Sequence, residues 1–374
     1  MSTYRVAVVG GGIAGLGVAW RLAEGGHRVV VLERGRAGRG ASWAAAGMLA
    51  PAAELGFEEL DLYRLGRESL RRWPAFARAV EAASGRDVGY RTEGTLVVAD
   101  DRDSARALRR LFRFQAEHGA PVEWLSGDEA LDREPLLSPR VVGAVASPED
   151  HQVDNRALAD ALRVAAEQAG ATIREGAEVA RIEPGEPPAA RLADGERVEA
   201  GAVVLAAGAW SGTVGGLAPA PPVRPVRGEA LALRQSPERG LALGHVVRGP
   251  DAYLVPKADG RLVVGATSDE VGDRAAVTAG GLYRLLEGAV AIVPAVEEME
   301  VVETWAGLRP AARDHAPLLG RSGHAGVVYA TGHYRHGVLL APVTAEEVAA
   351  EVEALLDGRA ETRPTLAPFS PRRF

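Results

Sequence analysis

The chain has no cysteine. Disulfides, thiolate metal sites and a cysteine nucleophile are therefore excluded, although the absence is neutral between cytosol and secretion. Lysine is almost missing as well: Lys257 is the only one, and the remaining basic residues are arginine. That bias reads first as a GC-rich genome and only secondarily as heat adaptation. An excess of positive charge is also lacking. The formal net charge is −7, so neither nucleic acid nor an anionic membrane has an electrostatic claim on the protein. The charge-free stretch Ala200 to Val223 is broken by glycines and prolines, which argues against a membrane helix. "MSTYRVAVVGGG" has one arginine and an apolar run too short for a secretory signal. A cytoplasmic protein is the expectation.

What is present is ordinary in bulk: 47% hydrophobic and 25% charged residues over 374 positions, enough for a full core and two domains, three at most. The first thirty-odd residues say more. Val6 to Val9 form an apolar run suited to a buried parallel strand. Gly10, Gly12 and Gly15 fall in the G-x-G-x-x-G spacing. Leu16, Ala19, Trp20 and Leu22 predict a helix ending at Gly25–Gly26, and "RVVVLE" a second strand closing at Glu33. The first glycine permits the tight turn, the second lets backbone approach a pyrophosphate, and the third lets helix and strand pack closely. The helix N-terminus offers free N–H groups and a positive dipole end. Glu33 is placed to accept from ribose hydroxyls and disfavours a 2′-phosphate. The spacing alone is weak, but strand, turn, helix, strand and acid in order predict dinucleotide binding rather than a mere glycine-rich turn. They do not choose between NAD and FAD.

Further along, Leu60 to Ala83 and "RDSARALRRLFRFQAEHG" read as helices, "YRTEGTLVVADD" as strands, and "VEAGAVVLAAGAWS" as another buried strand ending in a glycine turn. From "APAPPVRPVRGEALAL" onward strands and turns alternate in antiparallel style, with Pro219, Pro221 and Pro222 marking the composition shift. The end returns to strand, turn and helix in "GVVYATGHYRHGVLLAPVTAEEVAAEVEALL". The predicted fold class is α/β: a Rossmann-like cofactor domain from 1–84, 145–215 and 312–374, plus a mainly antiparallel α+β substrate domain from 85–144 and 216–311. The arginine pair Arg372–Arg373 suggests a frayed tail.

With "GASWAAAGMLAP", "VDNRALADAL", "VVLAAGAWS", "PVRGEALAL", "YLVPK", "GLRPAARDHAPLLG" and "ATGHYRHGVLLAP" in view, the whole chain resembles the D-amino acid oxidase superfamily of flavoproteins. It looks most like the glycine oxidases associated with thiamin biosynthesis. The resemblance implies FAD, held non-covalently since no cysteine can tether it, and no metal. It carries cofactor contacts onto Gly10, Gly12, Ile13, Ala14 and Gly15, onto Glu33 and Arg34, and onto Ala41, Ser42, Ala45, Ala46, Gly47 and Met48 of the small-residue loop. Val179, Ala207, Gly208 and Trp210 follow, then His336, Gly337, Val338, Leu339 and Leu340. Bulk in the small-residue loop would displace the flavin ring. The backbone N–H groups of Gly337 to Leu340 are the candidates for stabilising the reduced flavin's negative charge, with His333, Tyr334 and His336 mainly packing or lining residues.

The implied reaction oxidises a small amine to an imine that hydrolyses, with O2 taking the electrons as hydrogen peroxide. It needs an anchor for the substrate carboxylate. Family resemblance puts that anchor at Arg309, whose guanidinium can form a bidentate pair. Tyr253 matches the tyrosine that shares the carboxylate, and Arg335 a family arginine at the pocket mouth. No side-chain base is required if the α-hydrogen leaves as hydride, so His315 reads as a loop residue. Ser268 follows "GAT" where some glycine oxidases have methionine, which leaves sarcosine and small D-amino acids open as substrates. A D-amino acid or sarcosine oxidase, a dehydrogenase with another electron acceptor, a non-catalytic FAD binder and an NAD-linked enzyme remain the alternatives. A homo-oligomer, a tetramer by resemblance only, is expected, with a small amino acid and O2 as partners and neither nucleic acid nor membrane.

Overall fold

The computed structural model describes residues 4–360 and 363–374. The glycine-rich unit is strand Tyr4–Val9, helix Ile13–Glu24 and strand Val29–Glu33, with the two strands parallel neighbours. Arg197–Leu205 and Val327–Thr331 extend the parallel sheet on one side, and Thr172–Glu175 on the other. The central strands thus come from the start, middle and end of the chain. Successive residues of a strand face opposite sides, and both sides are covered here. Val6, Val8, Val29 and Val31 pack with the helices Ile13–Glu24, Asn155–Gln168 and Ala341–Leu356. Ala7, Val9, Val30 and Leu32 pack under the ribbon Val179–Glu183/Ala189–Leu192. Double coverage is why these strands read as unbroken apolar runs.

The second sheet has eight strands, and only the pair Val246–Arg248 with Thr95–Ala99 is parallel. Its two longest strands, Val223–Arg234 and Glu300–Ala312, pair from Val223↔Ala312 to Arg234↔Glu300. One face carries the helices Gly127–Arg133 and Ala279–Ile292, while Arg102–Glu117 packs on the opposite face against Val97, Ala99 and Val145. The break expected between 144 and 145 falls inside the strand Gly143–Ser147. That strand pairs along its length with Thr95–Ala99 and Glu123–Ser126, so strand pairing moves the break to after Ser147.

The C-terminal tail is tied down rather than frayed. Arg373 forms a two-pronged pair with Asp314 at 2.8 and 2.9 Å and donates to the carbonyls of Ala316 and Pro317. Among the described residues no helix is long and apolar enough to cross a membrane, and no cluster of ligating side chains could hold a metal ion.

Candidate active site

Two cavities meet at the carboxyl ends of the parallel strands, where ligands of such sheets bind. They share Gly12, Ala41, Ser42, Ala206 and Gly208 and measure about 1230 and 1370 Å³, the open solvent at their mouths included. At one end the glycine turn does what its spacing predicts. Gly10 has φ 107°, and a Cβ there would lie 2.4 Å from Ala206 O. A Cβ on Gly15 would lie 2.0 Å from Gly10 O, so helix and strand meet only because it is glycine. Gly15 lines neither cavity. The cofactor contact expected of it is corrected to a packing role.

The Glu33 carboxylate accepts from Gly11 N at 2.7 Å and from Gly35 N at 2.8 Å, and its side chain lines the cavity. Arg34 lies 3.4 Å over the Trp210 ring, and Val179, Ala207 and Gly208 line the same space. Ser42 Oγ accepts from Ile13 N at 2.9 Å, at the start of the first helix. The Gly12 N–H donates to no acceptor among the described residues, which leaves it available to a phosphate.

The other cavity is walled by Ile13, Ala14, Ala41, Ser42, Ala45, Ala46, Gly47 and Met48 on one side. His336, Gly337, Val338 and Leu339 close it on another. The N–H groups of Gly337, Val338 and Leu339 donate to no acceptor among the described residues. Leu340 is different: it is fully buried, lines no cavity, and its N–H donates to His336 O at 2.8 Å. Its expected cofactor contact is corrected, because the turn that presents its three predecessors consumes its own donor. A run of free donors, a wall of small side chains and the glycine turn together fit FAD.

The long strand Glu300–Ala312 delivers Arg309. Its guanidinium lies against Gly228, where any side chain would collide with it, and Nη1 donates to Thr267 O at 3.0 Å and Arg227 O at 3.4 Å. Among the described residues no carboxylate is ion-paired with it, so its charge stays available. Behind it Arg227, 7% exposed, bonds to buried Glu229 at 3.0 Å and to Asp269 at 3.1 Å. Tyr253 lines the same cavity. Burial pushes its phenol above the ordinary value, against the Arg309 charge beside it, so the hydroxyl remains a donor. Arg335 sits at the rim, 45% exposed and 3.8 Å from Glu59. Ser268 is exposed and lies outside the cavity lining, with Oγ 3.4 Å from Tyr334 Oη. His315, at φ 61°, stacks on Tyr334 with ring centroids 4.6 Å apart.

Glu54 was not legible in the sequence. It lines the cavity and accepts from Arg248 Nη1 at 3.0 Å. Its only local signal is its place shortly after the small-residue loop, since no periodicity or motif sets it apart from its neighbours.

A family model described as DAO, FAD dependent oxidoreductase, matches residues 5–351. The chain is 38% identical over 372 residues to a glycine oxidase of Geobacillus kaustophilus (strain HTA426), covering 98% of this chain and 96% of that one. It is 36% identical to the "Bifunctional protein ThiO/ThiG" of Synechocystis sp. (strain ATCC 27184 / PCC 6803 / Kazusa), covering 100% of this chain and 54% of that longer one. The crystal structure of glycine oxidase from Geobacillus kaustophilus matches with a TM-score of 0.91 at 37% identity, covering 100% of both chains. The chain belongs to the DAO family of FAD-dependent oxidoreductases.

Proposed function

We propose that the protein is a glycine oxidase that also accepts other small amines, sarcosine and small D-amino acids among them. Glycine, O2 and water become glyoxylate, ammonia and hydrogen peroxide; sarcosine releases methylamine instead. Bound FAD supplies the hydride acceptor, and O2 reoxidises it.

The observation that carries this reading is Arg309, cavity-lining and without a carboxylate partner among the described residues. A substrate carboxylate completes its hydrogen bonding, and Tyr253 donates to the same group. Two-point anchoring fixes the α-carbon, so much of the rate enhancement comes from orientation. Closing the cavity over the amine favours its neutral form. The free, cavity-lining N–H groups of Gly337, Val338 and Leu339 support a role as donors to the negative charge of the reduced flavin, worth far more in a water-poor site than in bulk. Arg335 at the rim supports substrate entry.

Similarity to the glycine oxidase and to the longer ThiO/ThiG protein supports a role in supplying thiamin thiazole synthesis. Cytoplasmic location and assembly as a homo-oligomer belong to the same reading. The test is anaerobic. The yellow holoprotein should bleach on adding glycine and, under air, release peroxide in preference to reducing a dye. Repeating it with sarcosine, D-alanine and D-proline ranks the substrates. Persistent colour with all four would sink the proposal, and dye reduction without peroxide would favour a dehydrogenase.

A further inference from the structure

Lys257, the chain's single lysine, is 4% exposed and follows the strand Tyr253–Pro256 of the second sheet. Its ammonium reaches across to the small-residue loop. Nζ donates to Ala46 O at 2.6 Å, Val153 O at 2.8 Å and Gln152 Oε1 at 3.2 Å. Three neutral acceptors match three N–H donors, and among the described residues no carboxylate touches it directly. Burying a cation this way is costly, so a purely space-filling role would be met better by an apolar side chain.

What the three bonds accomplish follows from peptide geometry. In a trans unit the C=O and N–H point in opposite directions, and the peptides of this loop are trans. Lys257 holds the oxygen of the Ala46–Gly47 peptide on the side away from the cavity. The Gly47 N–H therefore points toward the cavity that Gly47 lines, and it donates to no acceptor among the described residues. In the next peptide, Gly47 O accepts from Val153 N at 2.9 Å, so the Met48 N–H points the same way. The carbonyl of Val153 is itself held by Lys257, which makes one ammonium the common support of both peptides.

We propose that Lys257 is a positioning residue for the flavin, aiming the Gly47 and Met48 N–H groups at the ring of bound FAD. These two donors line the same cavity as the free N–H groups of Gly337 to Leu339. The inference rests on the flavin ring lying between those two segments. A wild-type chain that binds no FAD would defeat that placement, whereas the variants below bear only on Lys257.

The experiment compares wild type, K257M, K257Q and K257C alkylated with 2-bromoethylamine in denaturant and refolded with FAD. Alkylation rebuilds a lysine-like ammonium at the only thiol in the protein. Wild type carried through the same cycle is the control. The readouts are apoprotein melting, FAD affinity from flavin fluorescence, the visible spectrum of bound flavin, and sulfite affinity, which reports stabilisation of negative charge on the ring. K257M should bind FAD about tenfold or more weakly, the scale of lost charge-assisted hydrogen bonds. Sulfite affinity should fall with it, K257Q should lie between, and the aminoethylated protein should recover both. If K257M does not fold, K257Q and the alkylated protein carry the comparison. FAD and sulfite affinities matching wild type overturn the proposal. So does a fall in apoprotein melting alone, with the bound flavin unaltered.

Discussion

His336 Nδ1 lies 3.2 Å from Glu54 Oε2 in the cavity wall, the histidine buried and the carboxylate 12% exposed. Burial by itself pushes the Glu54 carboxyl up, but Arg248, His336, Arg335 and Arg309 outweigh it and hold the group below its ordinary value. Burial lowers His336, against the pull of Glu54. At neutral pH a carboxylate therefore accepts from a neutral imidazole. This pair ties the small-residue side of the cavity to the C-terminal turn.

That arrangement fixes the sign of one pH effect. With its folded pKa below 4.5, ionised Glu54 stabilises the fold above that value, and the contribution is lost as pH falls through the folded pKa. E54Q should melt a few degrees below wild type at neutral pH. The gap should narrow as the pH drops below 4.5. A gap that stays constant across that range would contradict the assignment.

No single histidine should be indispensable. Burial, then the neighbouring His336, brings His333 down to about 4, and its Nε2 lies 3.0 Å from Thr344 Oγ1. It is neutral across the physiological range and cannot act as a proton donor there. H333N and H336Q should still reduce flavin at saturating glycine, within about tenfold of the wild-type rate. Stopped-flow bleaching checks this, and a histidine variant with no reduction at all would falsify hydride transfer without a side-chain base.

Arg309 should separate substrate binding from cofactor binding. R309M should lower kcat/KM for glycine by about 100-fold or more, the usual scale for losing one partner of a buried charged pair. Its FAD affinity should remain close to wild type. R309K keeps the charge but loses the fork, so it should rescue only part of the loss. Steady-state kinetics beside a flavin titration tests both.

Asp150 behaves oppositely to Glu54. Its carboxylate accepts from Ala52 N at 3.2 Å and Ala53 N at 3.0 Å, holding the segment that carries Glu54. Burial pushes it up to about 7, ahead of the lowering effect of those donors. A folded pKa above the ordinary 3.8 means its contribution is complete below that value and lost as pH rises through about 7. D150N lacks this dependence. Its melting temperature should improve relative to wild type by a few degrees as the pH rises from 3.8 to about 7.

The nucleotide end of the site was readable because its chemistry is local. Gly10, Gly12, Gly15 and Glu33 sit at fixed offsets in one strand–turn–helix–strand unit, and backbone geometry alone constrains them. The parallel strands announced themselves as apolar runs because both faces are covered. The small-residue loop and the turn before Ala341 were placed by their likeness to a family, and their backbone donors face one cavity.

Long-range pairing decided the rest. Arg309 meets Thr267 and Gly228 only because Glu300–Ala312 pairs with Val223–Arg234 over its whole length. Glu54 finds Arg248 and His336 across separations that leave no trace in periodicity. Leu340 lost its expected role because a turn carbonyl takes its N–H. Lys257 sat in a recognisable motif, yet what it holds, Ala46 O, lies 211 residues away along the chain. The sequence by itself determined the strand–turn–helix–strand unit with its glycine turn and the parallel pairing of its strands, since these depend on neighbours in the chain. Only tertiary structure decided which charges stay unpaired, which N–H groups stay free and which buried cation aims them, because those depend on partners brought together by folding.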